Sequence, residues 1–247
     1  MFLYSIIQFD WWRLAIAFVP VFFALIVICR WTSICLNTWI AIIRMILQLS
    51  IVGFVLTWLF NQDSPVIFIG ALSVMLFAAA WIGLRTVPTK RKALYSYALI
   101  SMLIGGTIAL LVATQLVLQI HPWYNPRYLI PLGGMVFSNA LNAVSLSAER
   151  FFSELEGGKN LKVARGIALA TGLIPITNAL LAVGIVSVPG VMTGQILAGQ
   201  SPFVAVKYQI LIMLMVFTSA SLSTIGFLAL VSRRKNLFGD LLHKESM

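Results

Sequence analysis

Seven apolar stretches, parted by short charged connections, decide what this chain of 247 residues can become. A helix needs about 20 apolar residues to cross the ~30 Å hydrocarbon core of a bilayer. The stretches fall at about 14–36, 39–60, 65–84, 94–120, 128–148, 167–188 and 204–231. The ten-residue alternation of a membrane barrel is not seen. The sequence therefore predicts an all-α, polytopic helical membrane protein with seven transmembrane helices and a single membrane-spanning domain over 1–247. The opening stretch reads as a retained first span, because Asp10 and Arg13 precede it and Cys29-Arg30-Trp31 is no small-residue cleavage site.

Seventeen Lys and Arg against seven Asp and Glu give a net charge of +10, which in a soluble chain would suggest a nucleic-acid partner. Here the basic residues lie between apolar runs, so no nucleic acid is expected and the charges report orientation. Following the spans in order, Arg30, Arg44, Arg85, Lys90, Arg91, Lys92, Arg150, Lys159, Lys162, Arg165, Arg233, Arg234, Lys235 and Lys244 share one side. Arg13, Arg127 and Lys207 share the other. The positive-inside rule then puts the N-terminus outside and the C-terminus in the cytoplasm. Residues 149–166 become a short cytoplasmic loop, and 189–203 an outward or re-entrant loop.

Every carboxylate lies outside the spans: Asp10, Asp63, Glu149, Glu154, Glu156, Asp240 and Glu245. His121 and His243 are also at edges. Ion-coupled transporters carry their coupling charge on intramembrane carboxylates or histidines, so this pattern disfavours ion coupling. It equally disfavours an intramembrane enzyme, for which no catalytic constellation is visible. A phosphate-binding loop is missing too, since Gly157-Gly158-Lys159-Asn160 lacks the preceding strand, the first glycine and the hydroxyl. Any uphill movement needs a separate ATPase. The two cysteines, Cys29 and Cys35, are too few for a disulfide scaffold and read as structural thiols.

Polar residues within the apolar runs mark the candidate pathway. Ser138, Asn139 and Asn142 sit near mid-depth of the fifth span, with Met135 one turn earlier. Asn139 and Asn142 are three apart and share a face, which must meet another helix or a wet path. In the sixth span Pro175 frees the carbonyl of Thr171, with Asn178 three residues on. That arrangement either kinks the helix or breaks it to expose backbone oxygens. Between spans six and seven, GIVSVPGVMTGQILAGQSP cannot sit in bare lipid. Its prolines lack donors and its glycines disfavour regular helix, so it packs on protein or lines a cavity. Met192, Thr193 and Gln195 are its candidate pathway residues. Arg44 with Gln48 reads as an interfacial anchor. Methionines could attract soft metal ions, but Met45, Met75, Met102 and Met213 are scattered rather than paired at ligand spacing and read as flexible packing, with no metal site assigned. Gly190 and Gly194 give only a weak G-x-x-x-G.

The same run carries the signature G-x-V-S-x-P-G-x-M-T-G-Q-I from Gly184 to Ile196. With NPRYLIPLGGMVFSNALNAVSLSAERFFSEL before it, IPITNALLAV leading into it and AVKYQI after it, the chain resembles the FetB-like family of ABC transporter permeases. That family also includes plant aluminium-tolerance proteins. RMILQLSIVGFVLTWLF and Asp63-Ser64-Pro65 are similar in the first half. The resemblance implies a permease domain in the cell inner (plasma) membrane, a homodimer paired with ATP-binding cassette subunits, and export of iron or another metal. ATP and magnesium would sit in the partner subunit, with no cofactor bound by this chain. The substrate pathway would comprise Met135, Asn139, Asn142, Pro175, Asn178, Met192, Thr193 and Gln195. Coupling to the ATPase would fall to Arg150, Lys159, Lys162 and Arg165. One departure stands out. Relatives have a longer cytoplasmic helical insert where this chain has LEGGKNLKVARGIALATG. Two adjacent glycines disfavour a long helix there. Either a shortened element docks the ATPase, or the chain is a non-transporting membrane scaffold or regulatory subunit. The basic cluster can also serve as a topology anchor on anionic lipid.

Overall fold

The computed structural model describes residues 10–62 and 64–234. Asp63, Lys235, Asp240, His243, Lys244 and Glu245, all used in the charge reading, lie outside the described residues. The helices are α1 (Trp11–Ile16), α2 (Phe18–Trp31), α3 (Cys35–Leu59), α4 (Pro65–Gly83), α5 (Arg91–Leu111), α6 (Pro126–Glu156), α7 (Leu161–Ala182), α8 (Gly190–Leu197) and α9 (Pro202–Ser232). Two short 3-10 turns join α4 to α5, and a π-helical turn, Val112–Val117, ends α5. Among the described residues, seven segments are long and apolar enough to cross a membrane: Trp12–Trp31, Cys35–Leu59, Pro65–Thr86, Pro88–Val117, Pro126–Glu156, Leu161–Ala182 and Pro202–Ser232. By contacts, the chain divides between Asp63 and Ser64 into two compact units.

The first unit is a helical hairpin. Pro20 has no amide hydrogen to bond Ile16, so the ladder is interrupted at Ala17 between α1 and α2. Phe22 meets Trp39 edge-on at 5.7 Å across the hairpin. Cys29 and Cys35 are bonded to each other, with Cα atoms 4.6 Å apart. This corrects the reading of two structural thiols. A turn of three residues brings the end of α2 against the start of α3 and puts the sulfurs within bonding reach. Most other side chains of α2 and α3 are apolar and exposed, as on helices that face lipid.

The second unit is built around α5, α6 and α9, whose facing sides are rich in small residues. Lipid tails are as apolar as leucine, so helices in a bilayer associate by close packing rather than by expulsion of water. A methyl group on Gly105 would lie 2.6 Å from Ser223 Oγ and 2.7 Å from the Ser223 amide nitrogen, so α5 and α9 touch nearly backbone to backbone. The Ser219 hydroxyl donates to the carbonyl of Val136 at 3.1 Å and ties α9 to α6. On α7, Ala164, Ala168, Gly172 and Ile176 recur every four residues and form its buried stripe against α6. Helix starts follow the expected chemistry. Asn125, Asn160 and Ser201 each accept a backbone N–H at the N-cap, and prolines open α4, α6 and α9.

Four expectations change. The loop set at 149–166 is a four-residue turn, 157–160, because α6 runs on to Glu156 and α7 starts at Leu161. Phe151, Phe152 and Leu155 are buried, Arg150 pairs with Glu154 one turn on, and Gly157 ends the helix, followed by Gly158 at φ +78°. Those glycines stop a helix already secured by packing; they do not prevent one. The span set at 167–188 ends at Ala182, where Gly184 at φ +84° and its N–H to Ser187 O (2.9 Å) make a tight loop. Pro175 lies inside a continuous α7, so the broken-helix alternative does not hold. Finally, the segment 189–203 contains the helix α8 despite Gly190 and Gly194, since packing on α9 outweighs their poor propensity.

Candidate functional site

Helix α8 contributes to two cavities on either side of α9. Val191 and Gln195 turn into the first, of about 190 Å³, which Arg127, Tyr128, Pro131 and Met135 of α6 and Tyr208 and Met215 of α9 complete. Met192 turns into the second, of about 460 Å³, with Gly184 and Ser187 of the tight loop and Gln209 and Met213 of α9. The alternation is helical. Gln209 and Met213 are one turn apart and face one side, while Tyr208 and Met215 face the other. A polar recess of about 190 Å³, holding His121, Asn125, Tyr128 and Tyr208, adjoins the first cavity through the two shared tyrosines. The carbonyl oxygens of the Gln195 and Gln209 side chains are both buried without a hydrogen-bond partner among the described residues. Such amides usually find one, which makes these two conspicuous.

The structure distributes the predicted pathway residues over several places. Met135 and Gln195 come together in the first cavity, although sixty residues separate them. Met192 belongs to the second cavity. Thr193 is exposed, and its hydroxyl donates to Pro189 O at 3.2 Å. The Asn139 amide donates to Met135 O at 2.8 Å within its own helix, so half of its hydrogen-bonding need is met locally. Asn142, Pro175 and Asn178 are exposed on α6 and α7. Asn139 and Asn142 are therefore partly separated. The first is half-buried, and the second points outward with no side-chain hydrogen bond among the described residues. Sequence reasoning missed Gln209, Met215, Tyr128 and Tyr208, and read Met213 as flexible packing. A glutamine in the apolar run of α9 was a legible signal; the methionines were not, because only the fold pairs them.

A second cluster crowns the α6–α7 turn. Lys159, Lys162 and Arg165 are exposed and make no ion pair among the described residues, whereas Arg150 is engaged by Glu154. Lys90, from the α4–α5 connection, reaches Glu156 at 3.8 Å and lies 4.2 Å over the Phe152 ring. The Arg91 guanidinium donates twice to Trp81 O, at 3.0 and 2.6 Å, and stacks on the Trp81 ring at 3.8 Å. The two connections thus form one braced basic surface. The contribution of Lys90 and Arg91 was not read from the sequence. No group of three or more His, Cys, Asp or Glu converges among the described residues.

Apolar helices enclosing small, mostly apolar cavities, with a basic tip at one end, define a multi-pass helical membrane protein. The chain belongs to the family described as Uncharacterised protein family (UPF0014), whose model matches residues 11–165 and 159–236. It is 36% identical over 197 residues to the Probable iron export permease protein FetB of Escherichia coli, covering 74% of each chain. It is 35% identical over 206 residues to a UPF0014 membrane protein of Synechocystis, covering 77% of this chain and 80% of the relative. It is 31% identical over 197 residues to Protein ALUMINUM SENSITIVE 3 of Arabidopsis thaliana, covering 74% and 71%. No solved structure matches.

Proposed function

We propose that this chain is one permease domain and the membrane subunit of an ATP-driven exporter of metal ions. It would work as a homodimer in the inner (plasma) membrane with two ATP-binding cassette subunits. The observation that carries the reading is the exposed polar face of α6 and α7. Asn142 lies mid-helix on α6, and Asn178, with Thr177 beside it, lies about one turn from the end of α7, both on spans that must cross hydrocarbon. An amide left unpaired there costs several kcal/mol, so a second copy or a water-filled path covers it. A pathway between two copies answers both needs. The relative from Escherichia coli named as an iron export permease supports metal as the cargo, with iron first among metals.

Orientation follows from charge. The basic tip formed by Lys159, Lys162 and Arg165 faces the cytoplasm, where the ATP-binding subunit docks and holds ATP and magnesium. The extension of α6 to Glu156, followed by a four-residue turn, supports docking of the ATPase on a shortened helical element over the alternative of a non-transporting scaffold. The test is co-expression with the ATP-binding subunit, co-purification, and metal efflux from vesicles. Asn142→Leu and Asn178→Leu are expected to fold, retain the ATPase complex and lose at least tenfold in efflux. Unchanged efflux in both variants would sink the pathway; failure of the ATP-binding subunit to bind would sink the assembly.

A further inference from the structure

The cavity of about 460 Å³ between the end of α7, α8 and α9 differs from its neighbour in one decisive respect: no charged side chain lines it. The first cavity carries Arg127, whose permanent cation opposes any metal ion. The second offers the thioethers of Met192 and Met213 and the amide oxygen of Gln209, whose side chain is 5% exposed, buried and unpartnered. All three donors are neutral. Thioether sulfur is a soft ligand that favours monovalent copper and its analogues over hard divalent ions. The desolvation cost of an ion grows with the square of its charge, so a divalent ion is penalised about fourfold more than a monovalent one in an uncharged site. Methionine's three rotatable bonds let both sulfurs close on an ion within a cavity larger than the ion itself. The tight loop braces the floor: Gly184 N–H donates to Ser187 O at 2.9 Å, and Val186 N–H to Ala182 O at 2.8 Å.

We infer that Met192, Met213 and Gln209 form a binding site for a soft monovalent metal cation. The site is distinct in chemistry from the iron pathway proposed above, and its binding of a soft monovalent ion does not rest on that reading.

The test uses the full chain in lipid nanodiscs without reductant, so that Cys29 and Cys35 stay bonded and no thiol of theirs competes. Silver(I) serves as the probe, with binding read by equilibrium dialysis and the metal's neighbours by X-ray absorption. The expected result is one silver per chain with sulfur neighbours, and at least tenfold weaker binding in the Met192→Leu/Met213→Leu variant, whose side-chain volumes are conserved. Gln209→Leu is expected to lose affinity while keeping the sulfur signature. Met135→Leu/Met215→Leu, in the Arg127 cavity, is expected to bind as the parent does. Three results would each overturn the inference: no silver bound, equal binding by parent and Met192→Leu/Met213→Leu, or a preference for iron(II) or zinc(II). Partner ATPase activity is scored separately, so loss of that activity tests the permease reading and leaves the binding result standing.

Discussion

The contact between α6 and α7 supplies the sharpest stability prediction. A methyl group placed on Gly172 would collide with Ser147 Oγ and lie 2.7 Å from the backbone oxygen of Ala143. The hydroxyl can rotate away, but the carbonyl is fixed in the α6 ladder, so Gly172→Ala must push α7 outward by about 0.7 Å or more to reach ordinary van der Waals distance. That displacement loosens the whole Ala164, Ala168, Ile176 stripe. Overpacking of this kind costs about 1–3 kcal/mol, and the better helix propensity of alanine returns about 1 kcal/mol. Because the clashing carbonyl cannot yield, the upper part of that range, about 2–3 kcal/mol, applies, and the net expectation is a loss of about 1–2 kcal/mol, or roughly 2–8 °C in the melting temperature of a chain this size. The assay is thermal unfolding in detergent followed by size exclusion. Gly166→Ala is the control, since a methyl group there meets nothing within 4 Å and is expected to be neutral or slightly stabilising. Adding Ser147→Ala to Gly172→Ala should restore only part of the loss, because the Ala143 carbonyl remains. Equal melting temperatures for Gly172→Ala and Gly166→Ala would refute the close-contact reasoning.

Further expectations follow from other parts of the molecule. Replacing Lys159, Lys162 and Arg165 together with alanine is expected to leave folding intact and abolish co-purification with the ATP-binding subunit. An unaltered complex would show that the tip only anchors the chain on lipid. Thiol alkylation should label Cys29 and Cys35 only after reduction, and Cys29→Ser should lower stability by about 2 kcal/mol from loop-closure entropy alone. Labelling without reductant would refute the bond. Gly184→Ala should cost about 1–2 kcal/mol, because φ +84° is disfavoured for any residue with a Cβ. A melting temperature unchanged from the parent would argue against the tight loop.

The seven crossings were legible because a bilayer demands one simple pattern, and the apolar runs meet it in number and order. Boundaries were less legible wherever packing outvotes composition. Glu149 to Glu156 reads as a polar loop, yet Phe151, Phe152 and Leu155 bury one side of it and keep it helical. Gly190 and Gly194 likewise argue against a helix that α9 nonetheless supports. The bond between Cys29 and Cys35 depends on how a hairpin closes, which spacing alone does not specify. As for the site, the sequence marked Met135, Met192 and Gln195 through their polar, glycine-rich setting. It gave no means of knowing that Met135 and Gln195 share one cavity while Met192 faces Gln209 and Met213 in another. Such pairings belong to tertiary geometry.

Helix α6 is unbroken from Pro126 to Glu156, and its tight contact with α7 lies at Ser147 rather than midway. At 1.5 Å per residue, the arm from Ser147 to the basic tip is about 14 Å long, and the arm from Ser147 to Tyr128 about 28 Å. Val136, on the longer arm, is held to α9 by Ser219 at 3.1 Å, so a rotation about the Ser147 contact would carry α9 along with α6 as a lever with a mechanical advantage of about one half. A short, forceful stroke delivered beside Glu156 would then emerge at the far end as a sweep of about twice the amplitude and opposite sense, shared by both helices, past the tyrosines that frame the polar recess.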